Sequence, residues 1–131
     1  MLKVESKIGT VRRRTEDLFV LLSNFENIVS FVPHDQVQDL VVEKERCTFT
    51  AQGQKMEIVI IDKELNNYIK FGSGETSPVK FFFWIQMKEA EAYITKIKLT
   101  MHLDIPLLAQ PFVKGKLEKA LNEMMDKISA M

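Results

Sequence analysis

The sequence predicts an α+β fold: a curved antiparallel β-sheet of about seven strands wrapped around a long C-terminal helix, with two short helices after the first strand. Three observations predict it. Apolar and polar residues alternate with a period of two through most of residues 37–104. The breaks between these alternating runs are a few residues long, enough to turn back on a neighbour but too short for the crossover that a parallel pair needs. The last twenty residues instead carry apolar side chains at three- and four-residue spacing, the mark of an amphipathic helix.

The elements follow in order. Leu2, Val4, Ser6 and Ile8 share one face while Lys3, Glu5 and Lys7 share the other, so residues 2–8 read as one half-buried strand. After Arg12-Arg13-Arg14, Thr15 is the expected N-cap of a helix with Glu16 and Asp17 in its first turn, where carboxylates complement the helix dipole. Leu18, Leu21 and Leu22 are its apolar stripe. A second short helix runs from Phe25 to about Phe31, carries Phe25, Ile28, Val29 and Val32, and stops before Pro33. Strands are then expected at 37–43, 46–51, 55–62, 68–72, 79–88 and 93–104. Pro111 suits the first turn of the final helix, whose inward face is Val113, Leu117, Ala120, Leu121, Met124 and Ile128.

Length and composition narrow the function classes. At 131 residues the chain suits a single domain spanning 1–131. Eighteen basic residues balance eighteen acidic ones, which argues against a nucleic-acid partner, since that normally needs a basic face, and against a polybasic membrane-binding surface. The longest strongly apolar run, Phe81 to Ile85, is far short of the ~20 residues of a membrane-spanning helix. The N-terminus lacks the apolar stretch of a signal peptide, and Cys47 has no second cysteine to pair with, so a cytoplasmic location is expected.

A sheet with one apolar side and one long amphipathic helix have only each other to cover. This element order resembles the helix-grip superfamily of START domains, the birch-pollen allergen and bacterial polyketide cyclase-like (SRPBCC) proteins. The stretches Ile69-Lys70-Phe71-Gly72, Pro78-Val79-Lys80-Phe81, Trp84-Ile85-Gln86-Met87 and Pro111-Phe112-Val113-Lys114-Gly115 are similar to those of small bacterial members. The resemblance spans the whole chain and implies a trough for a hydrophobic molecule between sheet and helix. The glycine-rich loop of the plant allergen branch is absent, and Glu43-Lys44-Glu45-Arg46 stands in its place.

Chemical motifs are sparse. His34, in a Pro33-His34-Asp35 loop, and His102, on the polar side of the last strand, are too few for a metal centre, and no cofactor is expected. Cys47 reads as an inert inward thiol with no base beside it. Asp39, Glu57, Asp62 and Glu64 fall at polar-facing or strand-end positions, so no catalytic pair stands out, and Arg12-Arg13-Arg14 reads as a solvated turn.

Strand parity selects the expected ligand-binding residues: Phe49, Met56, Ile58, Phe71, Phe81, Phe83, Ile85, Leu99 and Met101 from the sheet, with Leu117, Leu121 and Met124 from the helix. Thioethers and rings adapt to irregular apolar guests. The opposite parity puts Val59, Ile61, Tyr68, Phe82 and Trp84 on the solvent face, an apolar patch that is expected to pair two copies of the chain as a homodimer. The leading expectation is a binding protein for a small hydrophobic or lipid-like ligand. The alternatives are a cyclase/dehydratase-type enzyme using the same trough, and a protein-interaction module with no open cavity.

Overall fold

A computed structural model describes residues 1–31, 37–51 and 53–131. Two strands, β1 (Leu2–Glu5) and β2 (Gly9–Val11), precede two helices, α1 (Thr15–Leu22) and α2 (Phe25–Ile28), the second continuing as a 3-10 turn over Val29–Phe31. Six strands follow: β3 (Gln38–Val42), β4 (Arg46–Ala51), β5 (Gln54–Glu64), β6 (Tyr68–Ser73), β7 (Phe81–Glu91) and β8 (Ile94–Leu103). A 3-10 turn at Leu107–Ala109 then leads into α3 (Gln110–Ser129). All pairings are antiparallel, in the order β1-β8-β7-β6-β5-β4-β3, with β2 joining β1 along the edge of β8. The expected curved sheet, short helices and long final helix are therefore present.

The first expected strand is two strands, which makes eight among the described residues. The break lies at Ser6, whose hydroxyl accepts from the Leu99 N–H at 2.9 Å and donates to the Lys7 carbonyl at 2.8 Å. A side chain thus takes over part of the backbone ladder, as serine readily does. Lys7 N–H turns instead to Asn122 Oδ1 on α3, and Ile8, expected inward, is 68% exposed.

Other boundaries shift for similarly local reasons. Thr15 does not cap α1: it is the first helical residue, buried, with its hydroxyl 3.0 Å from that of Thr95. Asn24 does cap α2, accepting from Glu26 N–H at 2.9 Å. An irregularity between Glu89 and Glu91 carries β7 past its expected end, and the chain turns at Ala92-Tyr93, where Tyr93 adopts φ 64°. Val32, the stop before Pro33, the His34 loop and Gln52 lie outside the described residues.

From β4 to β8 the alternation gives the sheet's two faces as expected. Phe71 pairs with both Ile60 and Phe83, Phe83 with Met101, Cys47 with Ile58, and Phe49 with Met56. These rows share the concave face with α3.

The helix is unevenly seated. Its C-terminal half buries Leu121, Met124, Met125 and Ile128, whereas Val113, Leu117 and Ala120 are only half-buried. It packs chiefly on β1, β2 and β8, at one side of the sheet. Gly9 permits that approach: a Cβ there would stand 2.3 Å from Met125 Sδ and 2.6 Å from Ser129 Oγ. Gly9→Ala is therefore expected to destabilise the protein by about 1–3 kcal/mol through overpacking. Denaturant titration of Gly9→Ala, Met125→Ala and the double variant checks it, because the clash predicts a double-variant loss smaller than the sum of the singles.

Candidate functional site

Because α3 is fastened at one side, the sheet curves away beneath its middle and leaves a cavity of about 210 Å³. Its floor is Cys47, Phe49, Ile58, Phe71, Phe81, Phe83 and Met101, from five strands. Leu121 and Met124 of α3 form the roof. Phe25 and Ile28 of α2, with Val29, close one wall, and Val37 and Leu40 stand beside them. Leu40 is 37% exposed, which places it at the rim. Phe71 anchors the aromatic side, its ring 5.3 Å from Phe25 edge-on and 5.5 Å from Phe83.

Of the twelve residues expected to bind a ligand, eight line this space: Phe49, Ile58, Phe71, Phe81, Phe83, Met101, Leu121 and Met124. The other four lie outside its wall. Ile85 and Leu99 share the inward face but pair with each other nearer the clamped side, fully buried in solid core. Met56 is half-buried beside Phe49, towards the β4–β5 turn, and Leu117 is half-buried one helical turn before Leu121. Sequence reasoning missed Phe25, Ile28, Val29, Val37 and Leu40, and read Cys47 as packing alone.

The lining is chemically plain. Among the described residues its only side-chain heteroatoms are the Cys47 thiol and the sulfurs of Met101 and Met124. Burial pushes the Cys47 thiol above its ordinary pKa, which leaves it protonated and weakly nucleophilic at neutral pH. A carboxylate is buried nearby in sequence, that of Glu57, but alternation turns it to the convex face. There it pairs with the Arg46 guanidinium and occupies the space where Gly74 has no Cβ. Glu57 backbone groups also hold the loop between β6 and β7, donating to Ser77 Oγ at 2.7 Å and accepting from Gly74 N–H at 2.8 Å. It is a structural carboxylate, and no carboxylate, imidazole, phenol or ammonium group stands among the described lining residues.

The outward set sits on the convex face. Phe82 and Trp84 lie 6.1 Å apart, and Trp84 meets the His102 ring edge-on at 4.6 Å. Lys70 Nζ stands 4.7 Å from the Phe82 ring centre and 5.1 Å from that of Trp84, so part of the aromatic surface is already roofed by a cation. Desolvation, with Lys3 nearby, holds the His102 imidazole below its usual pKa. Ile61 is exposed and Val59 half-buried, while Tyr68 donates its phenol proton to Asp62 at 2.7 Å. The arginine turn is solvated, with Arg14 pairing Glu16 at 3.2 Å and Asp17 at 3.6 Å.

No protein-family model and no curated protein sequence matches the chain. Solved structures do. A START superfamily protein from Mycobacterium smegmatis matches with a TM-score of 0.73 at 14% identity, over 98% of this chain and 94% of that one. The fold is the helix grip. Protein XoxI from Bacillus cereus matches with a TM-score of 0.75 at 9% identity, over 99% of this chain and 94% of its own. Norcoclaurine synthase from Thalictrum flavum, in complex with a transition-state analogue, matches at 0.71 and 11% identity, over 98% and 94%. At these identities the likeness is one of helix-grip architecture, and function has to be argued from the cavity itself.

Cys47 provides a reporter inside the cavity wall. Its raised pKa and its burial mean that reaction with a disulfide reagent should be slower than in the unfolded chain at neutral pH, and should quicken only as pH climbs past the ordinary thiol range. Stopped-flow labelling from pH 6 to 10 measures this, with ordinary thiol kinetics as the contradicting result.

Proposed function

We propose that the protein binds one small, neutral, hydrophobic molecule between the sheet and α3. The observation that carries the reading is the chemistry of the cavity: about 210 Å³, with no charged side chain among its described lining residues. Such a space offers water no partners, and a comparable engineered cavity of roughly 150 Å³ stays dry and takes up benzene or xenon. Left empty, such a space leaves its lining side chains without packing partners on one side. An apolar guest supplies part of that packing. The volume suits a single substituted ring or a short branched chain, with any polar group directed to the rim near Leu40.

Organic extraction and native mass spectrometry of the purified protein, followed by thermal melts with toluene, indole and hexanol, test this reading. A bound guest present at 100 times its dissociation constant should add about 2.7 kcal/mol and raise Tm by several degrees. It should also slow Cys47 labelling. Ile58→Phe, which fills the floor, is expected to abolish the probe-induced shift while leaving the unliganded Tm unchanged or higher. Absence of any co-purified molecule, together with probes that neither raise Tm nor protect Cys47, contradicts the proposal.

Self-association through the convex face is a separate proposal, supported by the contiguity of Val59, Ile61, Phe82 and Trp84 across neighbouring strands. Sedimentation should show a dimer for the wild type and a monomer for Phe82→Ser/Trp84→Glu. A monomeric wild type at tens of micromolar contradicts it.

A further inference from the structure

The three most exposed large apolar side chains among the described residues stand together where the chain enters α3. Leu107 and Leu108, in the 3-10 turn, are 78% and 87% exposed, and Phe112, in the first turn of the helix, is 78% exposed. Leu108 and Phe112 are four residues apart along a helical path, a spacing that puts side chains on one side. Single exposed apolar residues are ordinary, but three within six residues mark a surface that meets something else.

Charge around them is uneven although the chain as a whole is neutral. Between residues 105 and 119 there are three lysines, Lys114, Lys116 and Lys119, and one acid, Glu118. All three lysines are exposed. Asp104 stands at the base of the tip, its N–H donating to the Lys80 carbonyl at 2.9 Å, while the Lys80 ammonium turns to the convex face and lies 5.7 Å from the Phe82 ring centre. Protruding leucine and phenylalanine ringed by flexible lysines fit the boundary of a lipid bilayer: rings and alkyl groups enter the acyl region, and ammonium groups reach the phosphates. We propose that this tip docks the protein on an anionic bilayer surface.

The cavity connects to the tip through apolar surface. Leu103, Ile105, Val113 and Leu117 are half-buried against the core, and Leu103 pairs with the cavity residue Phe81. Leu117 stands one turn from Leu121 in the roof. Gly115, with open space where a Cβ would stand, loosens this end of the helix. A docked protein would therefore face the bilayer with the loosely seated end of its cavity roof, where an apolar guest could pass without crossing water. The docking itself needs no guest, so its test uses the protein without added ligand and is separate from the test of cavity binding.

Flotation with phosphatidylcholine vesicles, with and without about 30% phosphatidylglycerol, is the experiment, run at low and high salt to vary screening. The wild type should float with anionic vesicles, less at high salt, and more than ~10-fold less with neutral vesicles. Leu107→Ser/Leu108→Ser/Phe112→Ser should lose binding to both, and Lys114→Glu/Lys116→Glu should lose binding to the anionic ones. Unchanged circular dichroism confirms that the variants are folded; should the serine variant fail to fold, the lysine variant alone decides. A wild type that ignores anionic vesicles, binds both kinds equally, or binds as well after the substitutions overturns the proposal. So does a wild type that ignores vesicles but forms dimers that the serine variant lacks, which would assign the tip to a second copy of the chain.

Discussion

The architecture depends on one close approach, that of α3's last two turns to β1 and β2. Gly9 has no side chain, so Met125 and Ser129 occupy the space above it. Val4, Val11, Ile97, Leu99, Met125 and Ile128 are all buried with almost no exposed surface. Around that apolar contact stand two polar ones, Lys7 N–H on Asn122 and the Lys7–Asp126 ion pair at the rim. The ion pair is solvent-exposed and contributes little. Burial of the methionine and the branched side chains fixes the helix, at roughly 1.5–3 kcal/mol for each.

Clamping the helix at one side determines what happens at the other. A twisted sheet cannot stay parallel to a straight helix over its whole width, so the separation grows from β8 towards β4. Near β8 the gap is filled by Ile85, Leu99 and Met125. Farther on the side chains no longer meet, and α2 with Val29 closes the space instead. The cavity is therefore a geometric consequence of where the helix is held, and its apolar lining follows from the same alternation that builds the sheet. The one buried carboxylate among the described residues, Glu57, is turned away from it by that alternation. This separation of charge from cavity is why binding of a neutral molecule fits the geometry better than acid–base catalysis.

Much of this was legible in the residues. Period-two alternation survives wherever the ladder is regular, so Phe49, Ile58, Phe71, Phe81, Phe83 and Met101 were assigned to the correct face without knowledge of the pairing. What escaped was set by features that periodicity does not encode. Ser6 interrupts the first strand through side-chain hydrogen bonds, which turned Ile8 out to solvent. Met125 flanks the expected apolar stripe and is buried only because Gly9 lets β2 come close. The β3 side of the cavity was hidden by an irregular register between Gln38 and Val41, with Asp39 at φ 53°. Phe25, Ile28 and Val29 carried a usable signal: three large apolar residues on a helix too short to have a core of its own must be buried against something else.

The central claim is that the gap under the middle of α3 is a real, dry, apolar space and not a region where the core closes up. Crystals of the protein under xenon pressure test it directly, since xenon enters dry apolar cavities and scatters strongly. The account predicts a xenon peak bounded by Phe71, Phe83, Met101, Leu121 and Met124, or density for a bound organic molecule in the same place. Side chains of those five residues in mutual contact, with neither xenon nor other density between them, would contradict it.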